Sequence, residues 1–310
     1  MTGSIVRHRT QLEAEEASRL SPLAVRSSEA TRRREVEEDP SDIRLAFQRD
    51  RDRILHARAF RRLKHKTQVF VPHVGDHPRT RLTHTLEVGQ LARTIARSLG
   101  LNEDLAEAAA MGHDLGHTAF GHTGESVLDE ILRGVNVDMT LPDAITAEVG
   151  AFKHNYQSLR VVDLFERRYE VPGLNLSDQV REAILKHTTW KVDYPFPVAD
   201  REGLFLDKPC HLEGQAVAIA DEIAQQTHDL EDGLRAGSVG LETAEKLAVA
   251  KRVISEIGEK RYFKDRAWIR QNNLVRGLIR LFVADAVESS AARIAHFLER
   301  HEISDHEEFS

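Results

Sequence analysis

From Ser41 to the C-terminus, apolar residues recur at steps of three and four with little to interrupt them. That spacing places them on one face of an α-helix rather than on alternate faces of a strand. Val88, Leu91, Ile95 and Leu99 form one such stripe, with Gly100 as its expected C-terminal stop. Asn102 can cap the next helix, and Leu105, Ala109 and His113 follow on its inner face. A third helix is expected through Val127, Leu128, Ile131 and Leu132, ending near Gly134. Leu212, Ala216, Ile219 and Ile223 mark another, and Leu278, Ile279, Leu281, Phe282 and Ala286 a last one. Only 18 glycines and nine prolines punctuate 310 residues, few for an all-β chain, so the expected class is all-α. Residues 1–40 are polar and charged and are expected to be a flexible arm, with Arg32, Arg33 and Arg34 as a solvated run. Residues 41–237 are expected to form the core, and 238–310 a helical extension packed on it. Residues 134–145 and 188–210 read as loops, the second long enough to border a pocket.

The polar residues that break these apolar faces carry the chemistry. His84 lies four residues before Val88, so its imidazole faces inward with that stripe. His113 is inward too, with Asp114 beside it, and Asp221 interrupts the apolar run Val217 to Ala220. A carboxylate in that setting needs a counter-charge. Two imidazoles and two carboxylates from three helical segments make a donor set for one divalent cation. Such an ion readies a water for attack and neutralises phosphate charge. A single cysteine, Cys210, excludes an internal disulfide framework and a thiolate zinc cage. A net charge of −7 gives no global basic field for nucleic acid. No apolar run reaches the roughly 18 residues of a spanning helix, and no signal-peptide core is evident, so a cytoplasmic protein without membrane contact is expected.

Longer stretches extend this pattern: RDRILHARAFRRLKHKTQVF, RTRLTHTLEVGQLA, GHDLGHTAFGHTGE, FKHNYQSLR, ILKHT and ADEIAQQTHDLEDGLRAG. From about Arg49 to about Gly237 the chain resembles the HD-domain phosphohydrolases, in particular their deoxyguanosinetriphosphate triphosphohydrolase-like branch. The resemblance implies an all-α HD-domain bundle that hydrolyses a dNTP to deoxynucleoside and triphosphate. It implies that His84, His113, Asp114 and Asp221 ligate one divalent ion per subunit, with magnesium or manganese expected. Iron, cobalt, nickel and zinc also suit two imidazoles and two carboxylates. It further implies that His122 moves the proton, as base or acid, with Glu125 orienting it. His117 and His154 approach the phosphates, the latter carried over with the catalytic set. Arg81 lies near the α-phosphate, Gln68 at the deoxyribose and Asp229 at the sugar. Lys186 and His187 are expected to add positive charge to the phosphate path. The chain has Gln225 where relatives often have tyrosine, which leaves base preference open. His56, His65, His73 and His77 are assigned no role.

Two alternatives stay open at this level. One is a nucleotide phosphomonoesterase or phosphodiesterase, 5′-nucleotidase-like, on the same fold. The other is an HD protein that binds nucleotide or single-stranded DNA with little turnover, for which Arg49, Arg51, Arg53, Arg58, Arg61 and Arg62 supply a local basic stripe. The resemblance also implies a homo-oligomer and a nucleotide effector.

Overall fold

The computed structural model describes residues 6–34, 41–66, 79–135, 138–139, 141–143, 145–146, 150–188 and 203–306. Among them the regular structure is helical, apart from one isolated bridge between Arg32 and Ser177. The helices are α1 (Arg9–Arg19), α2 (Ala46–Leu55), α3 (Arg58–Arg62), α4 (Arg81–Ser98), α5 (Glu103–Gly112), α6 (Gly121–Leu132) and α7 (His154–Arg160). They continue as α8 (Asp178–Lys186), α9 (Leu212–Arg235), α10 (Leu241–Ala244), α11 (Ala248–Ile257), α12 (Glu259–Tyr262) and α13 (Ala267–Arg300).

Helix α5 is the axis on which the site is built. Ala106, Ala108, Ala109 and Ala110 are all fully buried, and side chains this small let α2, α4, α8 and α9 approach it closely. Its start is set by Asn102, whose side chain accepts the Leu105 N–H at 3.2 Å and satisfies one of the donors a helix leaves open. Thr80 begins α4 in the same way, in a reciprocal pair with Thr83. Gly100 closes α4 at φ +68°, a conformation glycine enters without steric cost, and Gly134 follows α6 at φ +70°.

The N-terminal segment departs from the expected arm. Residues 9–19 are helix α1, and Glu16 on it is buried, accepting from Ser27 N–H at 2.7 Å, Ser27 Oγ at 2.8 Å and Asn102 Nδ2 at 3.0 Å. Burial pushes the Glu16 carboxyl pKa up. The triple arginine is not a solvated run either. Arg32 pairs with the fully buried Asp50 at 2.5 Å and donates to the Asn175 carbonyl at 2.8 Å. Arg34 donates to the Pro172 carbonyl at 2.8 Å. Composition suggested disorder because the segment is polar and charged, whereas its few apolar residues, such as Leu23 and Ala24, are buried and polar partners 11 to 138 residues apart help to dock it.

After Gly237, α11 and α13 pack together around Val253, Leu274, Leu278 and Leu281. Phe282 and Val283 carry α13 onto the core beneath α4 and α9.

Candidate active site

His84 stands in the first turns of α4, His113 just past the end of α5, Asp114 in the turn that follows, and Asp221 midway along α9. Packing of α4, α5 and α9 sets His84, Asp114 and Asp221 in the lining of a cavity of about 720 Å³, with the buried His113 beside the two carboxylates. His84 Nε2 lies 2.9 Å from Asp221 Oδ1, and His113 Nε2 lies 3.7 Å from the same oxygen and 3.6 Å from Asp114 Oδ2. His113 Nδ1–H donates to the Ala110 carbonyl at 2.6 Å, which leaves Nε2 with its lone pair. That Nε2 is fully buried and hydrogen-bonds to nothing. Buried polar atoms are ordinarily satisfied, so an orphan aimed between two carboxylates fits a cation ligand. Nitrogen and oxygen atoms of His84, His113 and Asp221 lie within 4.8 Å of one another, close enough for one ion.

Charge follows the same plan. Burial alone would raise the Asp114 and Asp221 carboxyls, but His113 and the cations around them outweigh it and hold both well below the usual range. Arg81 forms a buried ion pair with Asp114 Oδ2. Arg81 therefore faces the donor set directly as well as lining the cavity.

The opposite wall is made by the turn after Asp114 and by α6 and α7. Gly116 is essential to its closeness: a Cβ there would sit 2.1 Å from Ser158 N, inside the backbone of α7. Ser158 Oγ then donates to the His113 carbonyl at 2.7 Å and accepts the Gly116 N–H at 2.9 Å. Phe120 adopts φ +63°, a strained conformation for a bulky residue, and its ring lines the cavity. His117, His122 and His154 converge here, with the His117 and His154 rings stacked at 4.6 Å and His122 5.3 Å from His117. Burial depresses the His117 pKa to about 3 and lowers that of His122 as well, so both are neutral near pH 7.

Several expected roles change in the folded chain. The Glu125 carboxylate, expected to orient His122, hydrogen-bonds to His154 Nδ1, the His154 backbone N–H at 2.9 Å and Lys153 Nζ at 2.6 Å, and reaches His122 only through its charge. Burial would raise the Glu125 carboxyl, but the hydrogen bonds from His154 and Lys153 bring it far below the usual range. His122 is the second residue of α6 rather than part of the irregular turn, and it hydrogen-bonds to no described residue. Lys186 is not available to phosphate: its three protons go to Glu182 at 2.5 Å, the Phe205 carbonyl at 2.7 Å and the Lys208 carbonyl at 2.9 Å. His187 is buried, its Nδ1–H on the Ile184 carbonyl at 2.8 Å and its Nε2 3.1 Å from His154 Nε2. Burial depresses its pKa to about 3, so it adds no positive charge to the path. Asp229 and Gln225 do line the cavity. Gln68 lies outside the described residues, as do His73 and His77.

Lys66 has a role that no reading of the sequence assigned. Its half-buried ammonium donates to the Leu115 carbonyl at 3.2 Å and the His117 carbonyl at 2.7 Å, fixing the turn that carries Asp114 and His117. Burial brings its pKa down to about 8. The only forewarning was its position inside the RDRILHARAFRRLKHKTQVF stretch.

A family model described as HD domain matches residues 81–225, a span that contains all four donors. A protein of Brucella canis named deoxyguanosinetriphosphate triphosphohydrolase-like is 46% identical over 278 residues, 86% of this chain and 65% of its own length. Proteins of the same name from Thiobacillus denitrificans and Ruegeria are 45% and 46% identical, covering 89% and 86% of the chain and 69% and 67% of theirs. The chain thus spans about two-thirds of the length of these curated relatives.

Proposed function

Because the chain belongs to the HD-domain family and to its deoxyguanosinetriphosphate triphosphohydrolase-like branch, we propose that it hydrolyses dNTPs to deoxynucleoside and inorganic triphosphate. The observation that carries this is the orphaned His113 Nε2, buried between Asp114 and Asp221 beside His84, next to a cavity whose lining includes His117, His122 and His187.

His84, His113, Asp114 and Asp221 would hold one divalent cation, magnesium or manganese in this reading. When bound, it polarises the α-phosphate and neutralises developing charge. The chain's own groups do the rest. A water attacks the α-phosphorus, the bond to the 5′-oxygen breaks, and that oxygen takes up a proton. His122, neutral and free of hydrogen-bond partners among the described residues, accepts a proton as the reaction begins. His117 stands in the same wall, its single N–H directed from Nδ1 to the Thr118 carbonyl at 3.4 Å. Glu125 anchors His154 so that its ring keeps a fixed angle to the phosphate path. Asp229 and Gln225 stand where sugar and base would be read.

The decisive experiment is product analysis with each dNTP and magnesium or manganese, beside Asp114→Ala. Deoxynucleoside with intact triphosphate, lost in the variant, supports the reading. Orthophosphate or dNMP would replace it with a nucleotidase.

A second reading, a protein that holds single-stranded DNA with little turnover, draws on one surface. Arg58, Arg61, Arg167 and Arg168 surround a depression of about 280 Å³. Phe165 and Tyr169 are exposed beside them, offering faces on which bases stack. Only part of the expected basic stripe contributes, since Arg51 is paired with Glu107 and Arg53 with the Leu174 and Asn175 carbonyls. DNA affinity that falls steeply with salt, without turnover, would favour this reading. A homo-oligomer draws support from the exposed Trp268 and Phe297 on α13, and analytical ultracentrifugation tests it. A nucleotide effector is tested by mixing dNTPs in the same assay. No described helix is long and apolar enough to cross a membrane.

A further inference from the structure

His113 and His84 present the same ring atom, Nε2, to the two carboxylates, but they are held by different devices. His113 is fixed by a backbone carbonyl of its own helix. His84 Nδ1 instead meets a second imidazole, His228 Nδ1, at 3.3 Å, with ring centroids 5.4 Å apart and planes at 77°. The far nitrogen of that ring, His228 Nε2, contacts the Glu87 carboxylate. Arg79 braces Glu87 at 3.6 Å and ties it to Glu231 and Asp232 on α9 at 2.9 and 3.7 Å.

Hydrogen-bond direction through this chain has a single solution for a neutral His228. A carboxylate only accepts, so the His228 proton is on Nε2 and its Nδ1 carries a lone pair. That lone pair can face His84 Nδ1 favourably only if His84 has its proton there. His84 Nε2 then has the free lone pair, the one that faces Asp221 Oδ1 at 2.9 Å. Two lone-pair-bearing atoms at that distance suit a cation between them. In the reversed arrangement, His84 Nε2–H would donate to Asp221 and could no longer ligate an ion.

We propose that Glu87 and His228 are positioning residues that fix the Nδ1–H tautomer of His84, so that its Nε2 lone pair is kept for the divalent cation. The inference rests on the metal-centre reading above and adds to it the part of α9 beyond Asp221. Glu87 lies one turn after His84 on α4, and His228 two turns after Asp221 on α9. The helices that carry two of the donors therefore also carry the device that sets one of them.

The test reads the tautomer and the metal without using nucleotide. Long-range 15N correlation spectra of metal-free full-length protein, with His84→Gln used to assign the resonance, show which ring nitrogen bears the proton. The expected result is a protonated Nδ1 and a bare Nε2 in the wild type, and a mixture in Glu87→Gln and His228→Phe. Manganese binding, followed by electron paramagnetic resonance, should weaken about 10- to 100-fold in both variants, the range typical of lost partners behind a metal ligand. His228→Gln, whose amide oxygen can accept from His84 Nδ1, should recover part of that loss. Because the Glu87 side chain is 41% exposed, Glu87→Gln keeps the test valid if His228→Phe does not fold. A wild-type His84 protonated on Nε2 would overturn the proposal, as would Glu87→Gln with unchanged spectra and manganese affinity. An intact tautomer effect in a protein that releases no triphosphate would sink the proposed reaction and leave this inference standing.

Discussion

The two walls of the cavity are built on different physical terms. The wall proposed to hold the metal takes His84 and Asp221 from α4 and α9 and His113 and Asp114 from the end of α5 and the turn after it, on helices whose alanine-rich contacts leave them little room to shift. The wall of α6 and α7 takes its histidines from a tight turn, a left-handed Phe120 and two short contacts made by Glu125 and Ser158. The first wall is held by close helix packing, whereas in the second Tyr156 and Leu159 anchor α7 in the core and a few polar bonds aim its histidines. Donor geometry is therefore expected to survive changes that disable proton transfer, whereas loss of a donor disables everything.

The largest effect expected is that of Asp221→Asn. Removing a ligand forfeits several kcal/mol of charge stabilisation, which at about 1.4 kcal/mol per decade is on the order of a thousandfold in kcat/KM. Manganese affinity should fall with it, and equal loss in His122→Gln would break the division between the walls. His122→Gln is expected to lower kcat about a hundredfold, within the usual range for a proton-transfer group, while leaving manganese affinity unchanged. Glu125→Gln should move kcat in the same direction through His154, again without touching the metal.

Gly116→Ala tests how the walls are joined. Its Cβ would meet backbone only 2.1 Å away, so α7 must shift at a cost of about 1–3 kcal/mol. Thermal unfolding would show this as a lower Tm, and an unchanged Tm would mean the two segments are not in contact.

A further test is the pH dependence of stability in chelator-treated protein. His117 and His187 both titrate near pH 3 when folded, against 6.5 when unfolded. Between those values the unfolded chain binds more protons, so stability rises with pH and is lost as pH falls below about 6.5. Each group contributes up to about 1.4 kcal/mol per pH unit in that window. Denaturant unfolding from pH 7 to 4 should show this slope, and His117→Gln should reduce it by one proton.

How much of this could be read beforehand differs between the walls. The four residues proposed as donors were picked out because His84, His113 and Asp221 interrupt apolar stripes at helical spacing, with Asp114 beside His113, and a buried charge there demands a partner. Glu125 entered only through the family resemblance, which set it beside His122, and spacing could not say that its carboxylate would cross to His154. Lys186 shows the same limit. It sits at the end of α8 beside His187 as a phosphate ligand would, yet its protons are taken by Glu182 and by carbonyls of the 205–208 segment. The N-terminal segment was misread for a related reason. Its few apolar residues said nothing of Glu16, Arg32 and Asp50, whose partners lie far along the chain.

The sequence by itself determined the helical class, the capped ends of α4 and α5, and the residues able to bind a hard divalent cation, because periodicity and side-chain chemistry are local properties. Only the tertiary structure decided which imidazole faces which carboxylate, and that the Lys186 ammonium is spent on Glu182 and on backbone carbonyls. Those choices depend on packing between helices far apart in the chain, where a shift of one side chain by a few ångströms makes or removes a hydrogen bond.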